Sequence, residues 1–281
     1  MAKIAEKRNL SPEIVRLKVI APEISEKRKA GQFVILRVHE RGERIPLTIV
    51  DSDPKEGTVT LVFQVVGKTT HALSLLEEGD KILDFAGPLG KPTDIEHFGT
   101  VAVVGGGIGI AVAYPIAKAM KSAGNRVLSI IGARSKDFLV LEEEVRSVSD
   151  EIIVTTDDGS YGRKGLVTDP LQEWLETREL NQVIAIGPVP MMRALSESTR
   201  PYGVKTVVSL NPIMVDGTGM CGACRVSIGG RTKFACVDGP EFDGHLVDFD
   251  NMMARLGSYR DQEIEAHKCK LDKQIKSKEE A

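Results

Sequence analysis

The chain has 281 residues, 37 Lys and Arg against 40 Asp and Glu, a formal charge of −3, 42% apolar residues and four cysteines. A chain of this length buries roughly three quarters of its unfolded surface, so one large or two modest domains stand without staples, and the apolar content excludes wholesale disorder. The near-neutral charge gives no long-range pull toward nucleic acid, four cysteines are no disulfide framework, and the opening MAKIAEKRNL lacks a secretory apolar run, so a reducing, cytoplasmic setting is expected.

In the first hundred residues, stretches 14–20, 32–38, 58–65 and 81–85 are enriched in Val, Ile, Leu and Phe and separated by Gly or charged turns. They predict strands of a small closed or nearly closed barrel, which leaves little exposed edge. One short helix is expected at 70–76. The period changes after Gly99: apolar strands at 100–105, 126–132, 151–156, 182–187 and 204–209 alternate with helical patterns at 108–122, 138–148, 166–175 and 191–198. That alternation predicts a parallel sheet covered on both faces, with ligands beyond the strand C-terminal ends. The uncharged run 101–117 approaches membrane-spanning length, but Gly105, Gly106 and Gly107 divide it into strand, turn and helix, and no membrane association is expected.

From residue 211 the chain is rich in Gly and Cys, with strand-like RVSI and TKFAC around Gly229-Gly230. From 247, Met252, Met253, Leu256, Tyr259 and Ile264 predict the start of a helix that packs on this chain or a partner, before a polar tail containing Cys269. The expected division is 1–98 barrel, 99–210 α/β domain, 211–246 cysteine module, and 247–281 helix and tail.

The cysteines carry the strongest local signal. Cys221, Cys224 and Cys236 are spaced C-x2-C-x11-C, and a hairpin through the two glycines returns the third toward the first pair. Three thiolates leave a two-iron centre incomplete. Asp216 stands where plant-type spacing has its first cysteine, giving D-x4-C-x2-C-x11-C and favouring a [2Fe-2S] centre; structural zinc or a dithiol are the competing readings.

Gly105-Gly106-Gly107-Ile108-Gly109 follows a strand and opens a helix, but Ile110 occupies the last glycine position of GxGxxG. The turn suits a nucleotide at the helix start or close strand–helix packing. Loops 155–165 and 187–192 follow neighbouring strands and share the same crevice, with Asp157 on the ribose side or ordering its loop, Gly187 and Pro188 beside it, and Met191 either lining the site or filling core. In the barrel, Arg44, Pro46, Leu47 and Thr48 form one candidate ligand segment, and Gly67, Thr69 and Thr70 a small-residue turn suited to a diphosphate; solvated loops explain both equally well.

The combination resembles the flavin and iron-sulfur subunit family of ferredoxin reductases, which includes the electron-transfer subunit of dihydroorotate dehydrogenase. RIPLTI at 44–49, GKTT at 67–70, GGGIGIA at 105–111, DDGSYG at 157–162, GPVPMM at 187–192 and VDGTGMCGACRV at 215–226 carry the resemblance, which runs through about Tyr259. Against the family's R-P-Y-[ST] flavin segment, Pro46 and Thr48 match, Leu47 takes the aromatic slot, Ile45 the arginine slot, and Arg44 stands one position earlier.

The resemblance implies a ferredoxin reductase-like fold, with a β-barrel FAD domain, an α/β parallel-sheet NAD(H) domain and a C-terminal [2Fe-2S] module held by Asp216, Cys221, Cys224 and Cys236. It implies hydride exchange between NAD(H) and FAD and single-electron exchange with the cluster; the flavin supplies the chemistry and no catalytic side chain is required. For the electron-bifurcating branch it implies a larger partner with another flavin and [4Fe-4S] centres that handles NADPH and ferredoxin, in a heterodimer or dimer of heterodimers. The alternatives are a dihydroorotate dehydrogenase electron-transfer subunit, from whose four-cysteine pattern Asp216 departs, and a zinc-stabilised non-enzymatic scaffold.

Overall fold

In a computed structural model of the chain, residues 1–258 are described. Tyr259, Ile264, Cys269 and the expected polar tail lie outside the described residues. The first half holds β1 (Ala2–Ser11), β2 (Ile14–Ile20), α1 (Pro22–Lys27), β3 (Phe33–Arg37), β4 (Ile45–Asp53), β5 (Thr58–Gln64), α2 (Lys68–Ser74), β6 (Lys81–Ile82) and β7 (Asp84–Leu89). The strands form one sheet in the order β6-β1-β2-β5-β4-β3-β7. Its two edge strands follow one another in the chain, joined at Leu83, so the sheet curls into a nearly closed barrel. Along β2, Val15, Leu17 and Val19 are buried while Arg16 and Lys18 are not, the two-residue alternation of a strand with one face in a core.

Two strands carry little sequence signal. β1 is largely polar and contributes only Ala2 and Ile4 to the core, but its backbone is paired by β2 on one side and β6 on the other. β4 coincides with the candidate flavin segment, and its Pro46 lies opposite Ile35 in the pairing with β3. The expected strand at 81–85 is divided between β6 and β7.

The second half contains β8 (Thr100–Gly106), α3 (Gly109–Ser122), β9 (Arg126–Ala133), α4 (Glu142–Ser147), β10 (Glu151–Thr156), β11 (Arg163–Lys164), α5 (Thr168–Thr177), β12 (Gln182–Ile186), α6 (Val189–Thr199) and β13 (Lys205–Ser209). After it come the hairpin β14 (Arg225–Ile228) and β15 (Arg231–Phe234), α7 (Ala235–Asp238), β16 (Glu241–Asp243) and α8 (Phe249–Gly257). The second sheet has the order β11-β10-β9-β8-β12-β13-β16, parallel throughout except for β16. Strand order reverses at β8, which places a crevice at its C-terminal end, immediately after the glycine turn.

The helix expected at 138–148 is shorter in the structure. A single 3-10 turn covers Lys136–Phe138, and α4 starts only at Glu142, after Leu141 adopts φ 55°. The break lets Val140 bury itself with Ile110 and Tyr114 of α3 in a core that also takes Ile14, Val50 and Val62 from the barrel. This shared core holds the two halves against each other. The helix expected at 166–175 is displaced two residues, to α5, and the one at 191–198 begins earlier, at Val189 of α6.

The hairpin forms across Gly229 and Gly230 with Ile228 opposite Arg231, but Cys236 falls in the single turn of α7 rather than on a strand. β16 was not expected. It pairs antiparallel with β13 and so anchors the cysteine module to the edge of the α/β sheet. α8 is capped by the Asp248 carboxylate, which accepts a hydrogen bond from the Asn251 amide, and buries Phe249 and Met252 in the α/β core of this same chain. Among the described residues no helix is long and apolar enough to cross a membrane.

Candidate functional site

A single cavity of about 830 Å³ runs between the barrel and the C-terminal ends of the parallel strands. From the barrel it is lined by Pro46, Leu47 and Thr48 of β4 and by Thr70 of α2; from the α/β domain by Gly106, Gly107, Ile108, Gly109, Asp157, Gly187, Pro188 and Met191. The candidate segments from two separate regions of sequence thus face one space.

Four candidates lie outside that lining. Arg44 is exposed, with its guanidinium 3.8 Å from the Asp84 carboxylate. Gly67 caps α2, where the Thr70 hydroxyl oxygen accepts from the Gly67 amide at 3.0 Å and the Val66 amide at 3.1 Å. Thr69 is buried and donates its hydroxyl to Glu43, 3.2 Å away. Gly105 serves packing: a Cβ there would lie 2.9 Å from the Ile110 Cα.

The rest of the glycine turn is shaped for close approach. Gly107 has φ 55°, the left-handed region, and its amide donates to the Gly132 carbonyl at 2.8 Å. A Cβ on Gly109 would run into the Ile186 carbonyl and come within 2.8 Å of the Gly187 Cα, so only glycine lets α3 start this close to β12. The start of this 14-residue helix therefore opens at the cavity, where the positive end of its dipole suits a diphosphate. Met191 belongs to both the site and the packing, because side chains added at Gly106 or Gly187 would meet its thioether.

The two aspartates after β10 have different roles. Asp158 accepts from the Ser160 amide at 2.9 Å and the Ser160 hydroxyl at 2.7 Å, which order the loop and hold its carboxyl below the usual range. Asp157 lines the cavity, and among the described residues its carboxylate has no hydrogen-bond or ion-pair partner. In the neighbouring segment the Arg134 guanidinium stacks 5.3 Å from the Phe138 ring centroid, and both residues line the cavity. Among the lining residues that sequence reasoning did not find are Phe33, Asn211, Met214 and Pro240; none sits in a recognisable motif.

The cysteine loop folds as two pairs. Cys224 and Cys236 are buried with Sγ atoms 3.2 Å apart, and the Cys236 amide points at the Cys224 sulfur from 3.5 Å. Cys221 is exposed, and its amide donates to Asp216 Oδ2 at 2.7 Å, while Asp216 Oδ1 accepts from the Thr218 amide at 2.9 Å. These amides, Thr218 first, hold the Asp216 carboxyl below its ordinary range. Among the described residues no three such side chains are gathered as closely as a metal site requires.

The surroundings fit a soft metal centre nonetheless. Gly217, Gly219 and Gly222 take φ values of 74°, 82° and 67°, which turn the loop around the cysteines, and Ala235 and Met214 enclose the buried sulfur pair. Burial and the neighbouring Cys224 push the Cys236 thiol up to about 12, so in the metal-free chain it is protonated, and metal ligation would release that proton. Two close sulfurs suit one iron, with Asp216 and Cys221 available to a second.

A nearly closed barrel and a parallel sheet sharing one cleft, with a cysteine module docked on both, define a ferredoxin reductase-like oxidoreductase architecture. Residues 103–197 match the family described as the oxidoreductase NAD-binding domain, and residues 211–248 the iron-sulfur cluster binding domain of dihydroorotate dehydrogenase B. The chain is 52% identical over 260 residues, 92% of each chain, to the Thermotoga maritima protein called dihydroorotate dehydrogenase B (NAD(+)), electron transfer subunit homolog. It therefore belongs to the family of dihydroorotate dehydrogenase B electron-transfer subunits and their homologues. A structure reported for flavin-based electron bifurcation by an NADH-dependent reduced ferredoxin-NADP oxidoreductase is 50% identical, with a TM-score of 0.91, covering 96% of this chain and 98% of that one. The ferredoxin NADP+ reductase from Neisseria gonorrhoeae shares the fold at 18% identity and a TM-score of 0.58, covering 72% of this chain and 90% of that one.

Proposed function

We propose that this chain is the NAD(H)-side subunit of a flavin-based electron-bifurcating oxidoreductase. It takes hydride from NADH, or returns it to NAD, through FAD, and exchanges single electrons through a [2Fe-2S] cluster with a larger subunit that handles NADPH and ferredoxin. The observation that carries this reading is the single cavity bounded on one side by β4 and α2 and on the other by the glycine turn of α3. It is large enough for a flavin ring to meet a nicotinamide ring, and a flavin is the group that converts a two-electron hydride into single electrons.

The chain's own part is binding and placement. Pro46, Leu47 and Thr48 would hold the flavin ring, and Thr70 its diphosphate side. The amides at the start of α3 would take the nicotinamide diphosphate, with Asp157 toward the adenosine ribose and the Arg134–Phe138 stack beside the adenine. Asp216, Cys221, Cys224 and Cys236 would hold the cluster. The outer side of the cysteine loop suits the larger subunit: Met220 is 89% exposed, beside exposed Cys221 and half-exposed Val237. An apolar rim around a cluster ligand is the surface that burial against a partner would complete.

Anaerobic spectra of the purified chain before and after NADH test the reading. Flavin bleaching together with a reduced [2Fe-2S] paramagnetic signal supports it; a colourless zinc protein indifferent to NADH overturns it. The name of the Thermotoga maritima relative favours a second reading, electron transfer for dihydroorotate oxidation. Reduction of the native complex by dihydroorotate, with no response to NADPH, would select that one.

A further inference from the structure

We propose that Phe33 and Met214 form a shared wall through which electrons leave the cavity toward the Cys224–Cys236 pair, and that the packing of this wall sets the rate of that step. The inference rests on the flavin and cluster reading above. Phe33, on β3, and Met214, in the loop after β13, are 3% and 4% exposed. Both line the cavity, and both belong to the buried group that contains Cys224, Ala235 and Cys236. They are the only residues common to that lining and that group among the described residues. The module also meets the barrel at Gly217, which lies so close to β3 and β7 that a Cβ would come within 2.8 Å of Ile35 and 2.7 Å of Leu89. The cysteine module is thus pressed onto the barrel with a ring and a thioether between the sulfurs and the cavity.

Both side chains are apolar, so this wall offers no hydrogen-bonding partner to hold water in it. Electron tunnelling weakens faster across a gap than through packed atoms, and a void in a close-packed interior stays a gap because its surroundings relax only partly. NADH delivers two electrons and one proton as hydride. The cluster accepts one electron at a time, so in a single turnover without added oxidant one of the two electrons crosses the wall to the cluster while the other stays with the flavin.

The test compares wild type, Met214→Ala, Met214→Leu and Phe33→Leu as full-length flavin- and cluster-loaded protein. Rapid anaerobic mixing with NADH reads two rates, flavin bleaching and growth of the reduced-cluster signal in freeze-quenched samples. Met214→Ala is expected to lower the ratio of cluster reduction to bleaching severalfold, with Met214→Leu, which refills the space, near wild type and Phe33→Leu between them. A second readout needs no turnover: a chelator should strip iron from resting Met214→Ala faster than from Met214→Leu. An unchanged rate ratio in Met214→Ala with full iron content overturns the proposal. Should Met214→Ala fail to retain iron, an unchanged ratio in Phe33→Leu overturns it equally. A wild-type cluster that NADH never reduces would defeat the underlying electron-transfer reading instead.

Discussion

Cys224 and Cys236 are 12 residues apart in the chain, yet their Sγ atoms lie 3.2 Å apart in a pocket closed by Phe33, Ile35 and Met214. The β14–β15 hairpin makes this possible by folding the chain back at Gly229 and Gly230. Replacing either buried cysteine with serine removes a soft ligand from the proposed centre, and among the described residues no fourth cysteine is present to take its place. Cys236→Ser should therefore lose cluster iron, measured as iron per chain and as visible absorbance, while flavin stays bound to the barrel.

Asp216 supplies a hard oxygen ligand in the proposed centre and also ties down the amides of Thr218 and Cys221. Asp216→Cys keeps four ligands and should retain the cluster with a shifted midpoint potential, read by redox titration of the paramagnetic signal. An unchanged potential with full iron content would show that the aspartate does not tune the centre. Asp216→Ala removes both functions and should lower iron content.

Gly109 and Gly106 stand three residues apart in one turn but should respond differently to alanine. At Gly109 the new methyl meets the Ile186 carbonyl, which is backbone and cannot step aside, so Gly109→Ala should cost about 1–3 kcal/mol or more in thermal or denaturant unfolding. At Gly106 it meets the mobile end of Met191. Gly106→Ala should change stability less but weaken NADH binding, because the displaced thioether enters the cavity. Equal losses of stability in the two variants would contradict this account.

The Asp157 carboxylate at the cavity, unpaired among the described residues, predicts discrimination against NADPH. A unit charge about 4 Å from a 2′-phosphate charge costs roughly 1 kcal/mol in water, about fivefold in affinity. Asp157→Asn should raise NADPH affinity relative to NADH by about that factor, measured by direct binding titration of both nucleotides.

Glu241, on β16, accepts a hydrogen bond from the Thr93 hydroxyl at 2.6 Å, in a space left open by Gly31. Burial pushes its carboxyl up to about 7, with nearby Asp94 adding to the rise. The folded chain then holds this proton more tightly than the unfolded chain does. The contribution is complete below about pH 4.5, where both states are protonated, and is lost as pH rises toward about 7. The loss reaches up to about 3 kcal/mol. Glu241→Gln should flatten that part of the stability–pH curve, measured by denaturant unfolding from pH 5 to pH 8; an unchanged slope would show that Glu241 titrates normally.

Strong periodicity made much of the fold legible. The strand ends at Thr156 and Ile20 and the hairpin at Gly229-Gly230 fall where side-chain pattern and turn chemistry place them, because local sterics and burial decide those features together. Legibility failed where distant pairing overrode local preference. β1 is polar and forms because two neighbours satisfy its backbone; β16 is three residues long and exists because β13 offers an edge; the helix expected across Val140 yields to a core built partly from barrel residues.

The candidate site divides in the same way. Its glycine turn, the Pro46–Thr48 segment and the cysteine spacing are local patterns, and the sequence by itself determined them, since backbone freedom, ring constraint and thiol chemistry belong to single residues and short loops. Tertiary structure alone decided that Asp157 faces the cavity while Asp158 turns to Ser160, that Thr69 points to Glu43, and that Phe33 and Met214 stand between cavity and cysteines. Those outcomes depend on which surfaces meet across long sequence separations, and no short pattern of residue types encodes that meeting.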